Sequence, residues 1–193
     1  MLFRVYRALD GAAASARGGP LFVPRERQGS GRHDSPGRFG AFYAARSAVS
    51  AVAETIQAFR GRDLSADDLL LADGSRLTLA TLDWLAPASV LDLDDPAVLL
   101  EEGWRPSGVA SRDRQVTQAM AVRAFEAGAL GLSWWSTLDS SWTNVTLFAE
   151  RTVDAGAIGL AAPPEPLSLA HPAVVAAADH LGIARVPRSR RTR

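Results

Sequence analysis

The sequence predicts a single α+β domain, and three observations carry that expectation. Its 193 residues suit one domain with a short tail, because a chain of that length can hide about 70% of the surface its unfolded form exposes. Strand-like segments come in runs, whereas a doubly wound sheet would alternate them strictly with helices. The helical segments bring their own start and stop residues.

The elements follow in order. "LFRVYRAL" mixes aromatic and β-branched residues in partial alternation and is expected to be the first strand. Residues 11–36, rich in Gly, Ala, Ser and Arg, read as a long irregular connection. "FGAFYAA" is a short strand, and Ser47 can cap a helix running to about Phe59, before "RGRD" breaks the pattern. Asp73-Gly74, between the apolar runs of "LLLADGSRLTLATL", signals a hairpin. "ASVLDL" is the next strand, and Asp95-Pro96, a cap followed by a first-turn proline, opens the helix "AVLLEEG". "DRQVTQAMAVRAFEAGA" has the helical period and stops near a glycine. "LGLSWWS" and "WTNVTLFAE" are strands separated by the polar "TLDS", and a last helix lies near "HPAVVAAADHLG".

Composition removes several chemistries. There is no cysteine, so disulfides, thiolate nucleophiles and thiolate metal sites are excluded, and a reducing cytoplasm fits. All 21 basic residues are arginine, which excludes a Walker lysine, a Schiff-base lysine and a Ser-Lys dyad. His33, His171 and His180 take no metal-ligand spacing, so no metal is expected. "GSGRHDSPG" lacks the strand, lysine and helix of a phosphate-binding P-loop, and "GLSWWS" lacks the second glycine of a nucleophile elbow. The amino-terminal apolar run is too short for a signal peptide, and nowhere do 18 apolar residues run together, so no membrane span is expected. Residues 1–184 hold 16 bases against 21 acids, while the last nine residues hold five arginines and no acid. A mildly acidic body is a poor nucleic-acid footprint, and residues 185–193 read as a basic, disordered tail.

Arg32, Tyr43 and Glu54 recur at intervals of eleven residues. An arginine fork suits phosphate oxygens, a tyrosine ring offers a face to a heteroaromatic ring, and a lone carboxylate can stabilise an oxocarbenium-like charge. Those demands meet in NAD, with its pyrophosphate, nicotinamide ring and labile N-glycosidic bond. Each residue also has an ordinary structural reading: a surface arginine, a half-buried strand aromatic, a solvated helical glutamate. Val49, Val52, Ala53, Ile56 and Phe59 form the apolar stripe of the Glu54 helix, and Glu54 sits about 140° from Val49. Its neighbours Ser50, Ala51 and Ala58 are small enough to admit a ligand, so periodicity leaves both readings open. Trp84, Trp104 and Trp142 read as packing residues, Trp134 as core or pocket wall, and Asp92 as a buried strand acid that needs a partner such as an arginine.

The order of these motifs resembles the RES family, whose members are toxins with an ADP-ribosyltransferase-like fold. Arg7 in "VYRAL" matches the family's first-strand arginine. Gly31, Arg32, Gly37, Tyr43 and Glu54 match its Gly-Arg pair, glycine turn, aliphatic-Tyr-Ala strand and glutamate helix. "SVLDL", "VTQAMA", "GLSWWS" and "NVTLF" follow in the family's order, place its serine at Ser136, and extend the likeness over residues 4–148. The chain departs at His33-Asp34, where the family often has an Asn-like residue, and at Ser133 and Trp135, where it often has Arg and Pro. Ser133 thereby becomes a rival of Ser136; spacing favours Ser136, which strand alternation puts on one face with Leu132 and Trp134.

The resemblance implies a mixed β-sheet core with flanking helices and a catalytic domain over residues 1–184. It implies NAD as substrate, without a metal, and cleavage of the nicotinamide–ribose bond with water or phosphate as acceptor. Arg7 and Arg32 would hold the phosphates, Tyr43 would pack at the nicotinamide end, Glu54 would stabilise the ribosyl cation, and Ser136 would position ring or ribose. The alternatives are a protein ADP-ribosyltransferase using the same site, or a catalytically silent module of the same fold, with His33-Asp34 marking a lost site. A cytoplasmic toxin of this kind would pair with a cognate antitoxin, an Xre-like helix-turn-helix protein.

Overall fold

A computed structural model describes residues 1–71, 73–85 and 90–187. The aromatic and β-branched start of the chain forms strand β1, Leu2–Ala8, and "AFYAA" forms β2, Ala41–Ala45. Ser47 caps α1, Ala48–Ile56, its side chain accepting from the Ser50 N–H, and a 3-10 turn carries the helix on to Phe59. Strand β3, Leu64–Ser65, leads into α2, Ala66–Leu69, closed by a capping box between Ser65 and Asp68. Then come β4, Arg76–Trp84, and β5, Val90–Asp92. Asp95 caps the proline-initiated α3, Pro96–Glu102, and a single turn, α4, spans Pro106–Val109. Asp113 caps α5, Arg114–Glu126, which precedes the strands β6, Gly131–Trp135, and β7, Thr143–Phe148. The chain finishes with α6, Ala149–Thr152; β8, Ile158–Leu160; β9, Glu165–Pro166; α7, Pro172–Leu181; and β10, Arg185–Val186. His171 caps α7 by accepting from the Ala173 N–H through its Nδ1.

The chain divides into two compact units. In the first, built from residues 1–22, 45–82 and 160–193, β1 runs antiparallel to β4 from Leu2 opposite Leu82 to Ala8 opposite Arg76. Helix α1 packs on β1 and α7, and its Val52, Ala53 and Ile56 are buried, as are Val174, Ala177 and Ala178 of α7. The Arg4 guanidinium donates to the carbonyls of Pro20 and Phe22 at 2.9 and 2.8 Å, which ties down the irregular segment after β1.

The Asp73-Gly74 turn forms as expected, with the Leu71 N–H donating to the Ser75 carbonyl at 2.7 Å and Leu70 bridging Arg76 antiparallel; its first arm is short because α2 ends at Leu69. One expectation is corrected in this unit. Residues Arg185 and Val186 are strand, not tail, since β10 pairs in parallel with β3 and Arg185 meets Asp179 at 3.2 Å; residues 188–193 of the expected tail lie outside the described residues.

In the second unit, residues 23–44 and 83–159, β5 runs parallel to β6 while β6 and β7 are antiparallel, and β2 follows β7 in the strand order. The fold class is therefore α+β with a mixed sheet, as the runs of strands imply. The first two residues of "ASVLDL" lie outside the described residues. Helix α5 lies on β6 and buries Met120, Ala121 and Ala124 in a core with Phe39, Leu93, Leu99, Leu132 and Phe148. The Phe39 ring lies 4.4 Å from that of Phe148 and 5.0 Å from that of Phe125, within the range of favourable aromatic contact.

Asp92 is exposed, not buried. It sits at the end of a three-residue strand, accepts from Ser133 Oγ at 2.9 Å, and turns the chain by accepting from the Asp94 N–H. No arginine is needed because solvent reaches the carboxylate.

At Gly131, opposite Leu147 in the β6–β7 ladder, a Cβ would run into the Thr146 backbone carbonyl. Gly131→Ala must push the two strands apart and is expected to cost about 1–3 kcal/mol, as overpacking does. Urea unfolding measures this, and an unchanged midpoint would show that the ladder has slack there.

Candidate functional site

The glycine-rich turn before β2 is organised by one carboxylate. Asp34, 5% exposed, accepts the Gly29 and Gly31 N–H groups on Oδ2, both at 2.7 Å, and the Tyr43 hydroxyl on Oδ1 at 2.7 Å. Gly31 has to be glycine for this geometry, since a Cβ there would lie 2.6 Å from the carboxylate. Tyr43 Oη in turn accepts the His33 N–H at 2.9 Å. Burial, followed by the bond to Asp34, pushes the Tyr43 phenol well above its ordinary value, so it stays a neutral donor.

Arg32 is held at both ends. Its Nη1 donates to the carbonyls of Val109 and Ser111 at 2.8 and 2.9 Å. Its own carbonyl accepts from Thr117 Oγ1 at 2.5 Å. One residue on, Gln118 Nε2 donates to the carbonyls of Gly29 and Gly31 at 3.0 and 2.9 Å. The Arg32 loop is thus suspended between α4, α5 and the start of β2.

His33 lies under this loop, 1% exposed. Its Nδ1 meets Thr146 Oγ1 at 2.8 Å, and its ring stands edge-on to Trp134 at 4.5 Å. Burial, then the charges of Arg32 and Arg114, lower its pKa to about 3, so the imidazole is neutral. Trp134 pairs with Asn144 and Leu132 with Thr146 across β6–β7, which puts these four side chains on the face His33 covers. Ser136 lies just past β6 at the mouth of the hairpin, where its N–H donates to the Trp142 carbonyl at 2.7 Å. Its hydroxyl, 1% exposed, accepts from the Leu138 N–H at 3.1 Å. The rival Ser133 is occupied with Asp92.

Arg7 and Glu54 belong to the first unit. Arg7 is exposed near the end of β1, opposite Leu77. Glu54 is half-buried on α1, not on a solvated face, and accepts from Gln57 Nε2 at 2.9 Å. Ser50 and Ala51, on the sides of α1 outside its apolar stripe, are buried too, which is why the stripe alone could not decide the exposure of Glu54.

Of the residues singled out from the sequence, the second unit brings Arg32 and Tyr43 into one hydrogen-bonded loop and sets Ser136 on the adjoining hairpin. Three participants had no assigned role: Asp34 stood only as a departure from the family pattern, and Thr117 and Gln118 only as a match to it. A signal existed for Thr117. It occupies the α5 stripe with Met120, Ala121 and Ala124, and a hydroxyl on a buried face requires a partner. Arg114, exposed in the first turn of α5, was also overlooked; its charge acts on both His33 and Tyr43. Among the described residues, no group of His, Asp and Glu is arranged to hold a metal ion, and no helix is long and apolar enough to cross a membrane.

The family model described as the RES domain matches residues 1–170. No curated protein matches the chain. Among solved structures, a chain of the Mycobacterium tuberculosis MbcT-MbcA toxin–antitoxin complex superposes with a TM-score of 0.58 at 22% identity, covering 86% of this chain and 83% of that one. At that identity the likeness speaks for the fold.

The buried neutral His33 makes stability depend on pH. Below pH 6.5 the unfolded chain takes up a proton that the folded chain refuses until about pH 3, so stability is full above 6.5 and falls as the pH drops through this window. Between pH 7 and pH 5 the loss attributable to His33 is expected to be about 2 kcal/mol. Urea unfolding of the wild type and His33→Gln at both values checks it: the variant should lack this slope, and equal slopes would assign the acid sensitivity elsewhere.

Proposed function

The chain belongs to the RES domain family, and from that premise we propose that it is a toxin that cleaves the nicotinamide–ribose bond of NAD. The carrying observation is the Arg32–Tyr43 loop: a fixed cation and a fixed ring, held by partly buried hydrogen bonds at the family's motif positions. Arg7 and Arg32 supply positive charge to the pyrophosphate, a role for which a delocalised, permanently charged fork is suited. Tyr43 packs its ring at the nicotinamide end. Glu54 stabilises the positive charge that grows on the ribose as nicotinamide leaves, and Ser136 orients ring or ribose. Water or phosphate captures the ribosyl carbon, releasing ADP-ribose or its phosphate ester together with nicotinamide.

The loop chemistry favours an active enzyme over a silent module. His33 and Asp34 depart from the family pattern, yet Asp34 holds the Tyr43 hydroxyl and the Gly29 and Gly31 amides beside Arg32, and the His33 ring braces the loop on Thr146, which is what a working loop requires. Carboxylate stabilisation of this kind is worth roughly 3–4 kcal/mol of barrier. Purified protein is therefore expected to release nicotinamide from NAD, and Glu54→Gln to do so at least about 10²-fold more slowly. Wild-type protein that is folded, binds no NAD and releases no nicotinamide would leave the silent module as the better reading. Adducts of ADP-ribose on protein would instead point to a transferase.

The structural neighbour comes from a toxin–antitoxin complex, which supports the reading that a cognate antitoxin covers this chain's active cleft; the family resemblance extends that reading to an Xre-like helix-turn-helix partner and action in the cytoplasm. Expression of the chain alone is expected to lower cellular NAD and arrest growth, with Glu54→Gln harmless. An enzyme active in vitro yet harmless when expressed alone would remove the need for such a partner.

A further inference from the structure

We propose that Thr117 and Gln118 are positioning residues that aim Arg32 at the substrate's pyrophosphate. This rests on the reading of Arg32 as a phosphate contact and gives that contact a mechanical origin in α5. The Thr117 hydroxyl is wholly buried, and its 2.5 Å bond to the Arg32 carbonyl fixes the backbone from which the guanidinium projects. Gln118, one residue along, grips the carbonyls of Gly29 and Gly31 with a single amide group. Asp34 holds the N–H groups of the same two glycines. The turn is therefore clasped through its carbonyls by the helix and through its amides by its own carboxylate.

The far end of Arg32 is referred to the same piece of structure. Its Nη1 bonds to Val109 and Ser111, the residues through which the chain passes into the α5 cap at Asp113. Backbone and guanidinium of Arg32 thus share one reference body, and a loss of either hold lets the charge drift relative to the ring of Tyr43. Surface packing alone would not require two consecutive polar side chains to reach three carbonyls across more than 80 residues of sequence. Positioning of a charge is a demand that such contacts meet, since misplacement by about 1 Å can cost 10²-fold in rate.

The test uses ADP-ribose, which carries the pyrophosphate and lacks the scissile bond, and nicotinamide, which lacks the phosphates. Calorimetry gives the first affinity and saturation-transfer NMR the second, for wild type, Thr117→Val, Thr117→Ser, Gln118→Leu and Arg32→Gln. Thr117→Val and Gln118→Leu are expected to weaken ADP-ribose about tenfold with nicotinamide unchanged, and Thr117→Ser to stay within about twofold of wild type. Gln118 is partly exposed, so its variant carries the test if Thr117→Val does not fold. Unchanged ADP-ribose affinity in both variants, with a clear loss in Arg32→Gln, would overturn the positioning role alone. Parallel loss of both ligands would reduce Thr117 and Gln118 to general structure and also overturn it. No loss in Arg32→Gln would remove the phosphate contact itself, and the positioning role with it.

Discussion

A buried carboxylate is costly unless donors surround it, and much of the second unit's loop architecture answers that demand at Asp34. Two backbone amides and a phenol converge on it. Because those donors come from Gly29, Gly31 and Tyr43, satisfying one carboxylate bends the loop, excludes a side chain at Gly31 and fixes the phenol on β2. The His33 amide then completes the phenol's bonding. Arg32 stands in the middle of this arrangement, so its backbone has little freedom left.

Helix α5 contributes from the other side by an economical use of its buried face. Three of its inward residues, Met120, Ala121 and Ala124, enter the apolar core, while the fourth, Thr117, carries a hydroxyl that finds the Arg32 carbonyl. The apolar residues supply the area that makes docking favourable, and the hydroxyl supplies direction, which apolar contact lacks. Packing of α5 on β6 therefore also sets where the loop rests, and the strand pairs that face His33 are built on the same β6.

The electrostatics follow from this crowding. Burial, and after it the charges of two arginines, keep the His33 imidazole neutral, so His33 serves as a hydrogen-bonding strut to Thr146 and not as a titrating group in the neutral range. The phenol of Tyr43 is likewise held in its protonated form. The cationic character of the loop thus persists across ordinary pH, carried by guanidinium groups in a chain that has no lysine. An anionic ligand meets guanidinium charge on a hydrogen-bonded support in which the Asp34 carboxylate is enclosed by its own donors.

Local signals were enough for the longer elements: the alternation of β1, the caps at Ser47 and Asp95, the helical period of α5, the proline starts of α3 and α7, and the ordered motifs of the RES family. These are short-range rules, in which a residue and its near neighbours decide the backbone. The exposure of Asp92 escaped because burial depends on what lies opposite, which periodicity does not contain, and for the same reason periodicity left Glu54 open. The bonds from Thr117 to Arg32 and from Gln118 to Gly29 join residues more than 80 positions apart. Sequence by itself determined the family, the order of the longer strands and helices and the identities of the candidate side chains. Only the tertiary structure decided which of them share a network, because a hydrogen bond is set by distance and angle in space and not by spacing along the chain.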